Sequence, residues 1–398
     1  MQTFSPIKLW DFCGVCLLGV AASAIGSEPA STENEKFPFA PHTLISVPVE
    51  IFGKPHPMIV AAGVPESQVN ESLRPQLSQL PRPANPEQSF SVMELLPRPA
   101  MKIGRIHPET FPAGGLVAVS TSDRAFTLSG SDAKGFLGLD YLKSKVLKIN
   151  FDEHYVQFNS TVTDTSWPAE RIAFRRGFPY LQLRLPEHGY TSSWLNTSLL
   201  GCPTIEISLF NELVQKRKIV LSLADAYSSN GVKALSVGIL DWMEIGPYRL
   251  HNVHVQQGNL NSLSLDVLSK FNLELDLPNR LAYLQPSRDF RVPFRYSRSG
   301  FGTMIDGDKV LIYAISPGGV GDKAGIRDRD EIVSINGINA NQLSIFKIRD
   351  LHSEPGGKLT LSLRRGQTVQ NVVLQLTKEP DPFPVEDEPA PREFEFDK

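Results

Sequence analysis

Gly135-Phe-Leu-Gly-Leu-Asp-Tyr-Leu142, followed by Val146-Leu-Lys-Ile-Asn-Phe151, reads as a short helical turn that leads into an alternating strand. Leu147, Ile149 and Phe151 fall on one face and Lys148, Asn150 and Asp152 on the other, the period-2 signature of a half-buried strand. About 126 residues later the pattern returns as Leu263-Ser-Leu-Asp-Val-Leu268 and Leu273-Glu-Leu-Asp-Leu277. Asp140 then aligns with Asp266, Leu142 with Leu268 and Ile149 with Leu275. A single such match is open to coincidence. The shared order of turn, helix and strand makes it an internal duplication.

Working back from each stretch, the two copies also open alike. Val47-Pro-Val-Glu-Ile51 reads as a strand, Phe52-Gly53 as a turn, and Met58-Ile-Val-Ala-Ala-Gly-Val64 as a second apolar run. In the second copy Tyr180-Leu-Gln-Leu-Arg-Leu185 alternates, a turn falls at Glu187 to Gly189, and Trp194-Leu-Asn-Thr-Ser198 follows. The expected fold class is mainly β.

This order of strand, turn, apolar strand, loop and apolar-apolar-Gly-x-Asp segment resembles the retropepsin-type aspartic proteases. The resemblance implies a bilobal pair of β-barrels, with lobe 1 at 37–160 and lobe 2 at 170–287. In that family each lobe donates one Asp from an Asp-Thr-Gly loop. The pair shares a proton and activates a water. Here the first loop aligns as Ala61-Ala62-Gly63 and the second as Asn196-Thr197-Ser198. Ala61 has no ionisable group and the Asn196 amide cannot act as a general base, so these are degenerate positions and no catalytic residue is assigned. Gly63 and Gly138 remain in copy one, where copy two has Ser198 and Ser264. Copy two keeps Thr197, whose family counterpart braces the two loops, where copy one has Ala62. Asp140 and Asp266 are expected to cap short helices.

From Leu73 to Pro112 the first copy carries a proline-rich stretch, including Pro81-Arg-Pro83 and Pro97-Arg-Pro99. It is expected to be an elaborated surface loop placed where it could cover the old cleft.

Downstream of Gln285-Pro286 the pattern changes. Gly300-Phe-Gly-Thr303 precedes the strand Val310 to Ile315, then Ser316-Pro-Gly-Gly-Val320, Lys323-Ala-Gly-Ile326 and Asp330-Glu-Ile-Val-Ser-Ile-Asn-Gly337. A helical run from Leu343 to His352, the alternating Leu359, Leu361 and Leu363, and a closing strand Val369 to Leu376 complete it. This segment, 295–378, resembles a PDZ domain of the bacterial processing-protease type. The resemblance implies that an extended peptide adds to the edge strand while loop amides at Gly300, Phe301, Gly302 and Thr303 receive its terminal carboxylate. Thr303 stands where the family has an apolar residue, which leaves the side-chain preference open. Arg298 is expected to be exposed.

The bulk properties set the class. A composition of 41% hydrophobic and 21% charged residues is that of a globular protein. A net charge of −3 gives no reason to expect nucleic acid as a partner. No internal segment approaches the roughly 20 apolar residues needed to span a bilayer. Residues 1–26, with Lys8, the apolar run from Phe12 to Ile25 and the small residues Ala22-Ser-Ala24, read as a signal peptide, with a short uncut anchor as the alternative. Val15 is too bulky for lipid attachment at Cys16. Cys13 and Cys16 lie in this leader, so the mature chain keeps only Cys202, expected to be a buried small hydrophobe, and forms no internal disulfide. The tail, 379–398, is rich in Pro, Glu and Asp and is expected to be acidic and disordered.

Three functions stand on these residues. The first is an exported, non-catalytic protein that binds polypeptide C-termini or extended peptide segments, without a cofactor, in the periplasm, cell envelope or medium. The second is an active aspartic endopeptidase with divergent loops, and the third a structural protein of cell-envelope assembly.

Overall fold

The computed structural model describes residues 35–81, 94–104, 116–120, 133–159, 161–222, 236–306, 308–313, 315–378 and Phe383. The leader, parts of the proline-rich stretch and the acidic tail apart from Phe383 lie outside the described residues.

Each copy is built on the same crossing of strands. In copy one the hairpin Ser46–Ile51 and Lys54–Val60 turns at Phe52 (φ 52°) and Gly53 (φ 72°). Two consecutive positive φ values are what a tight hairpin of the right twist requires. The second hairpin strand then runs parallel to Gly135–Leu137, pairing Val60 with Leu137. Gln68–Asn70 pairs antiparallel to Gly135–Leu137 and parallel to Leu116–Ser120. Copy two repeats this. Its hairpin is Phe178–Leu185 and Gly189–Leu195, with Leu195 paired in parallel to Leu263. Thr204–Glu206 lies antiparallel to Ser262–Leu263 and parallel to Tyr248–Gly258.

The register fixes the correspondence. Because Val60 pairs Leu137 as Leu195 pairs Leu263, the residues that follow match as Ala61 with Asn196 and Ala62 with Thr197.

A third, six-stranded sheet joins the copies, running Phe37–Pro38, Tyr155–Asn159, Val146–Asn150, Phe271–Asp276, Leu281–Pro286 and Ala169–Arg171. Its middle pair takes one strand from each copy, with Lys148 opposite Glu274. Glu274 is fully buried and ion-paired to Lys148 Nζ at 2.9 Å. The Thr163 amide donates to the same carboxylate at 2.6 Å, and the Thr163 hydroxyl also donates to it. One hydrophobic core runs through both copies.

Two expectations are corrected. The proline-rich stretch does not lie wholly outside the fold as a loop: Glu94–Pro97 pairs with Leu116–Ser120, and Met101–Ile103 pairs with Ser46–Ile51. Alternating apolar residues at Leu96, Met101 and Ile103 are buried in the core, which is why these short runs become strands between prolines. Asp140 and Asp266 are not N-caps. Gly138 and Ser264 hold those places, and each Asp sits within the first turn. Asp140 Oδ1 accepts from the Ser67 amide (3.0 Å) and hydroxyl (2.6 Å), and Asp266 Oδ1 accepts from the Gly201 amide (3.2 Å). Each carboxylate therefore ties its helix to the loop beyond its copy's degenerate triplet.

The C-terminal segment has its own core around Phe301, Ile312, Ile335, Ile348 and Leu361. Its sheet runs Gly302–Asp306, Lys309–Tyr313, Glu331–Ile335, Lys358–Arg365 and Thr368–Gln375, so Gly302–Asp306 is an edge. The helix Ile345–Ser353 starts at Ser344, whose hydroxyl accepts from the Lys347 amide at 3.2 Å. Arg365 grips Asp330 through two bonds, Nε to Oδ1 (2.7 Å) and Nη2 to Oδ2 (2.6 Å), which holds the turn before Glu331–Ile335. Among the described residues no helix is long and apolar enough to cross a membrane.

Candidate functional site

The loops that follow Val60 and Leu195 meet between the two copies. The Thr197 hydroxyl accepts from the Ala62 amide at 2.9 Å and donates to the Val60 carbonyl at 2.7 Å, so one side chain of copy two satisfies two backbone groups of copy one. Trp194 Nε1 adds a bond to the Gly63 carbonyl at 2.9 Å. The loops approach so closely that a Cβ on Gly63 would lie 2.8 Å from the Leu195 carbonyl and 2.9 Å from Asn196 Cα. Glycine is required there by the contact itself.

At the positions where the resemblance implies a pair of carboxylates, Ala61 and Asn196 are both buried. The Asn196 Oδ1 is occupied, accepting from the Ser198 amide (2.9 Å) and hydroxyl (2.8 Å). Asp140 points elsewhere, toward Ser67, and forms an ion pair with Arg98 at 3.5 Å. Burial raises its carboxyl above the ordinary range, opposed by the Ser67 bonds and Arg98.

Asn196 and Ser198 line a groove of about 850 Å³ that continues from this loop to the C-terminal segment. One wall comes from copy two, through Trp194, Leu199, Leu200, Ile207 and Leu260. The facing wall comes from the C-terminal segment, through Phe301, Thr303, Tyr313, Ile345, Arg349 and His352. Of the four expected peptide-binding positions, Phe301 and Thr303 reach the groove. Phe301 is also fully buried in the segment's core, with its ring edge-on to His352 at 5.1 Å. Gly300 takes φ 73° and turns the chain into Gly302, the first residue of the edge strand.

The two walls are held in place by contacts that sequence reasoning missed. His254 stacks on Tyr296 (centroids 3.8 Å apart, planes 9°), and the Arg298 guanidinium covers Tyr296 at 4.1 Å. Arg298 also donates from Nη1 to the Thr377 carbonyl at 3.3 Å. The expected exposed arginine is therefore 8% exposed, buried by an aromatic face its own sequence neighbour provides. Lys270 Nζ donates to the Asp289 carbonyl at 2.9 Å and the Val292 carbonyl at 2.5 Å, and sits 4.7 Å from the Phe294 ring. It clamps the linker against copy two. Burial pulls its ammonium down to about 8, against the pull of Asp289 and Asp266.

Cys202 is another correction. It is partly exposed on the groove wall, with Sγ 3.4 Å from His254 Nδ1, rather than a buried hydrophobe. Burial, with Arg298 adding repulsion, takes His254 down to about 3, and burial takes His352 to about 4, so both rings are neutral at ordinary pH. Among the described residues no cluster of three His, Cys, Asp or Glu side chains could hold a metal ion. No motif or short spacing joins His254 to Tyr296, which lie 42 residues apart in sequence.

Comparison with known proteins agrees on the C-terminal segment. The PDZ domain family model matches residues 311–365. No curated protein matches the chain. Among solved structures, the photosystem II D1 C-terminal processing protease is similar at 23% identity over 23% of this chain and 25% of that one, with a TM-score of 0.21. The chain thus spans about a quarter of that enzyme's length. A retropepsin-like aspartic protease from Rickettsia conorii is similar at 16% identity over 30% of this chain and 93% of that one, with a TM-score of 0.23. The C-terminal segment of this mainly β chain is a PDZ domain.

Proposed function

We propose that the chain is an exported, non-catalytic protein that binds polypeptide C-termini or extended peptide segments through its PDZ domain, on a scaffold of aspartic-protease type. The observation that carries the non-catalytic reading is chemical. The two positions that correspond by register in the braced loops are Ala61 and Asn196, and neither side chain can take or give a proton. Water activation between the loops would need an ionisable pair.

The binding reading rests on the edge strand Gly302–Asp306, which pairs on one side with Lys309–Tyr313 and ends the sheet on the other. An added strand would complete its ladder, with Gly300, Phe301, Gly302 and Thr303 around the peptide's terminal carboxylate. Export rests on the leader pattern at residues 1–26, with Lys8, the apolar run Phe12 to Ile25 and Ala22-Ser-Ala24.

Incubating the purified mature chain with unfolded protein at acidic and neutral pH tests the first claim. No cleavage is expected, and cleavage blocked by a transition-state inhibitor of aspartic proteases would sink it. Peptide display should recover ligands with free C-termini and apolar ends, which Gly302→Trp should abolish.

A further inference from the structure

The edge strand of the PDZ domain and part of copy two line one shared cavity. Across one cavity of about 850 Å³, Phe301, Thr303 and Ile345 of the PDZ domain face Leu199, Leu200 and Leu260 of copy two. The copy-two wall mixes polar residues such as Gln257 and Asn259 with large apolar side chains that water reaches. Ile207 is 42% exposed and Leu260 is 41% exposed, and both line this cavity. Large apolar side chains left open on a concave wall mark a surface that another chain covers. The walls are not free to drift apart, because the His254–Tyr296–Arg298 stack and the Lys270 clamp fix the linker between them.

An extended peptide paired to Gly302–Asp306 presents its side chains alternately to opposite faces. With one wall, such a groove reads every second residue and leaves the others in water. Residues of such a peptide that point away from the PDZ helix would lie on the side of the cavity that Leu199, Leu200, Ile207 and Leu260 of copy two line. We propose that copy two is the second half of the recognition site, so that the chain selects extended segments with apolar side chains at consecutive positions. This rests on the peptide-binding reading above and adds to it which residues of the ligand are read.

The test uses the full mature chain and two sets of fluorescent synthetic peptides with free C-termini. One set has apolar residues at four successive terminal positions, and the other alternates apolar residues with Ser. Burying one or two additional apolar side chains should make the first set bind about tenfold tighter or more. Ile207→Asp and Leu260→Asp, both at exposed positions, should each erase most of that preference. Affinity for the alternating set should stay unchanged in both variants, which also reports that they fold. Equal affinity of the two sets for the unaltered chain overturns the proposal, as does a preference that survives both substitutions. If neither set binds, the peptide-binding reading falls with it.

Discussion

Thr197 is the residue on which the meeting of the two lobes turns. Its hydroxyl serves one buried donor and one buried acceptor, and a valine of the same shape would leave both unpaired. Each such group costs about 1–3 kcal/mol when stranded. Thr197→Val should therefore lower the midpoint of denaturant unfolding clearly, while Thr197→Ser, which keeps the hydroxyl, should recover most of the loss. A valine variant as stable as the parent would refute the bracing role. Gly63→Ala should also destabilise, because its Cβ would meet backbone atoms that cannot swing aside. At this scale the sequence was legible wherever a residue's type alone decides chemistry. Thr197 could be read from its type alone as a group able to bridge the two loops, as its bonds to Ala62 and Val60 show. Cys202 could not be placed, because its exposure depends on a groove formed by parts of the chain far apart in sequence.

Among the elements, the middle strands of the joining sheet departed most from their pattern. Alternation put Lys148 and Asn150 on an outer face, and it put Glu274 opposite three leucines. In the structure every position of Phe271–Asp276 is buried, Glu274 included. Thr163, bonded to Glu274 and Lys148, and Trp167, 5.7 Å from the Lys148 Nζ, lie on the face that alternation assigns to water, and the polar residues there are satisfied by one another. Asn272 shows the same economy, accepting from the Phe151 amide at 2.9 Å and donating to Asp152 at 2.8 Å. Replacing one partner of the Lys148–Glu274 pair leaves a charge with little water to reach. Lys148→Met should cost about 3 kcal/mol or more by chemical unfolding. The double variant Lys148→Met with Glu274→Leu should lie closer to the parent than Lys148→Met does. A double variant whose loss equals the sum of the Lys148→Met and Glu274→Leu losses would show that the pair is not coupled. The proline-rich strands were missed for a related reason: two or three apolar residues between prolines carry too short a period to read, and only their burial against Ser46–Ile51 makes them strands.

In the whole molecule, the groove ties stability to pH. His254 and His352 are neutral in the fold, near 3 and 4, against an ordinary value of 6.5. As pH falls through 6.5 the unfolded chain takes up protons on both rings and the folded chain does not. Their contribution to stability is thus complete above 6.5 and shrinks toward pH 4, by on the order of 1 kcal/mol per pH unit for each ring. The parent should lose stability between pH 7 and 5, and His254→Gln or His352→Gln should lose less over that interval. Variants whose pH dependence matches the parent's would show that neither ring stays neutral in the fold. Lys270 acts in the opposite range. Its folded value near 8 lies below the ordinary 10.5, so its cost of burial is present below pH 8 and is relieved as pH rises toward 10.5. The stability of the parent relative to Lys270→Met should therefore grow over that window. The separate elements on either side of the groove could be read from the sequence, but their meeting could not. It depends on aromatic and cationic side chains of the linker that carry no motif.

The brace at Thr197 runs in one direction only, from copy two to copy one, because the matching place in copy one is Ala62. An assembly of two identical chains about a two-fold axis has the same residue on both sides, so it holds both threonines or neither. A one-sided brace is open only where the two halves differ in sequence, as they do within this chain.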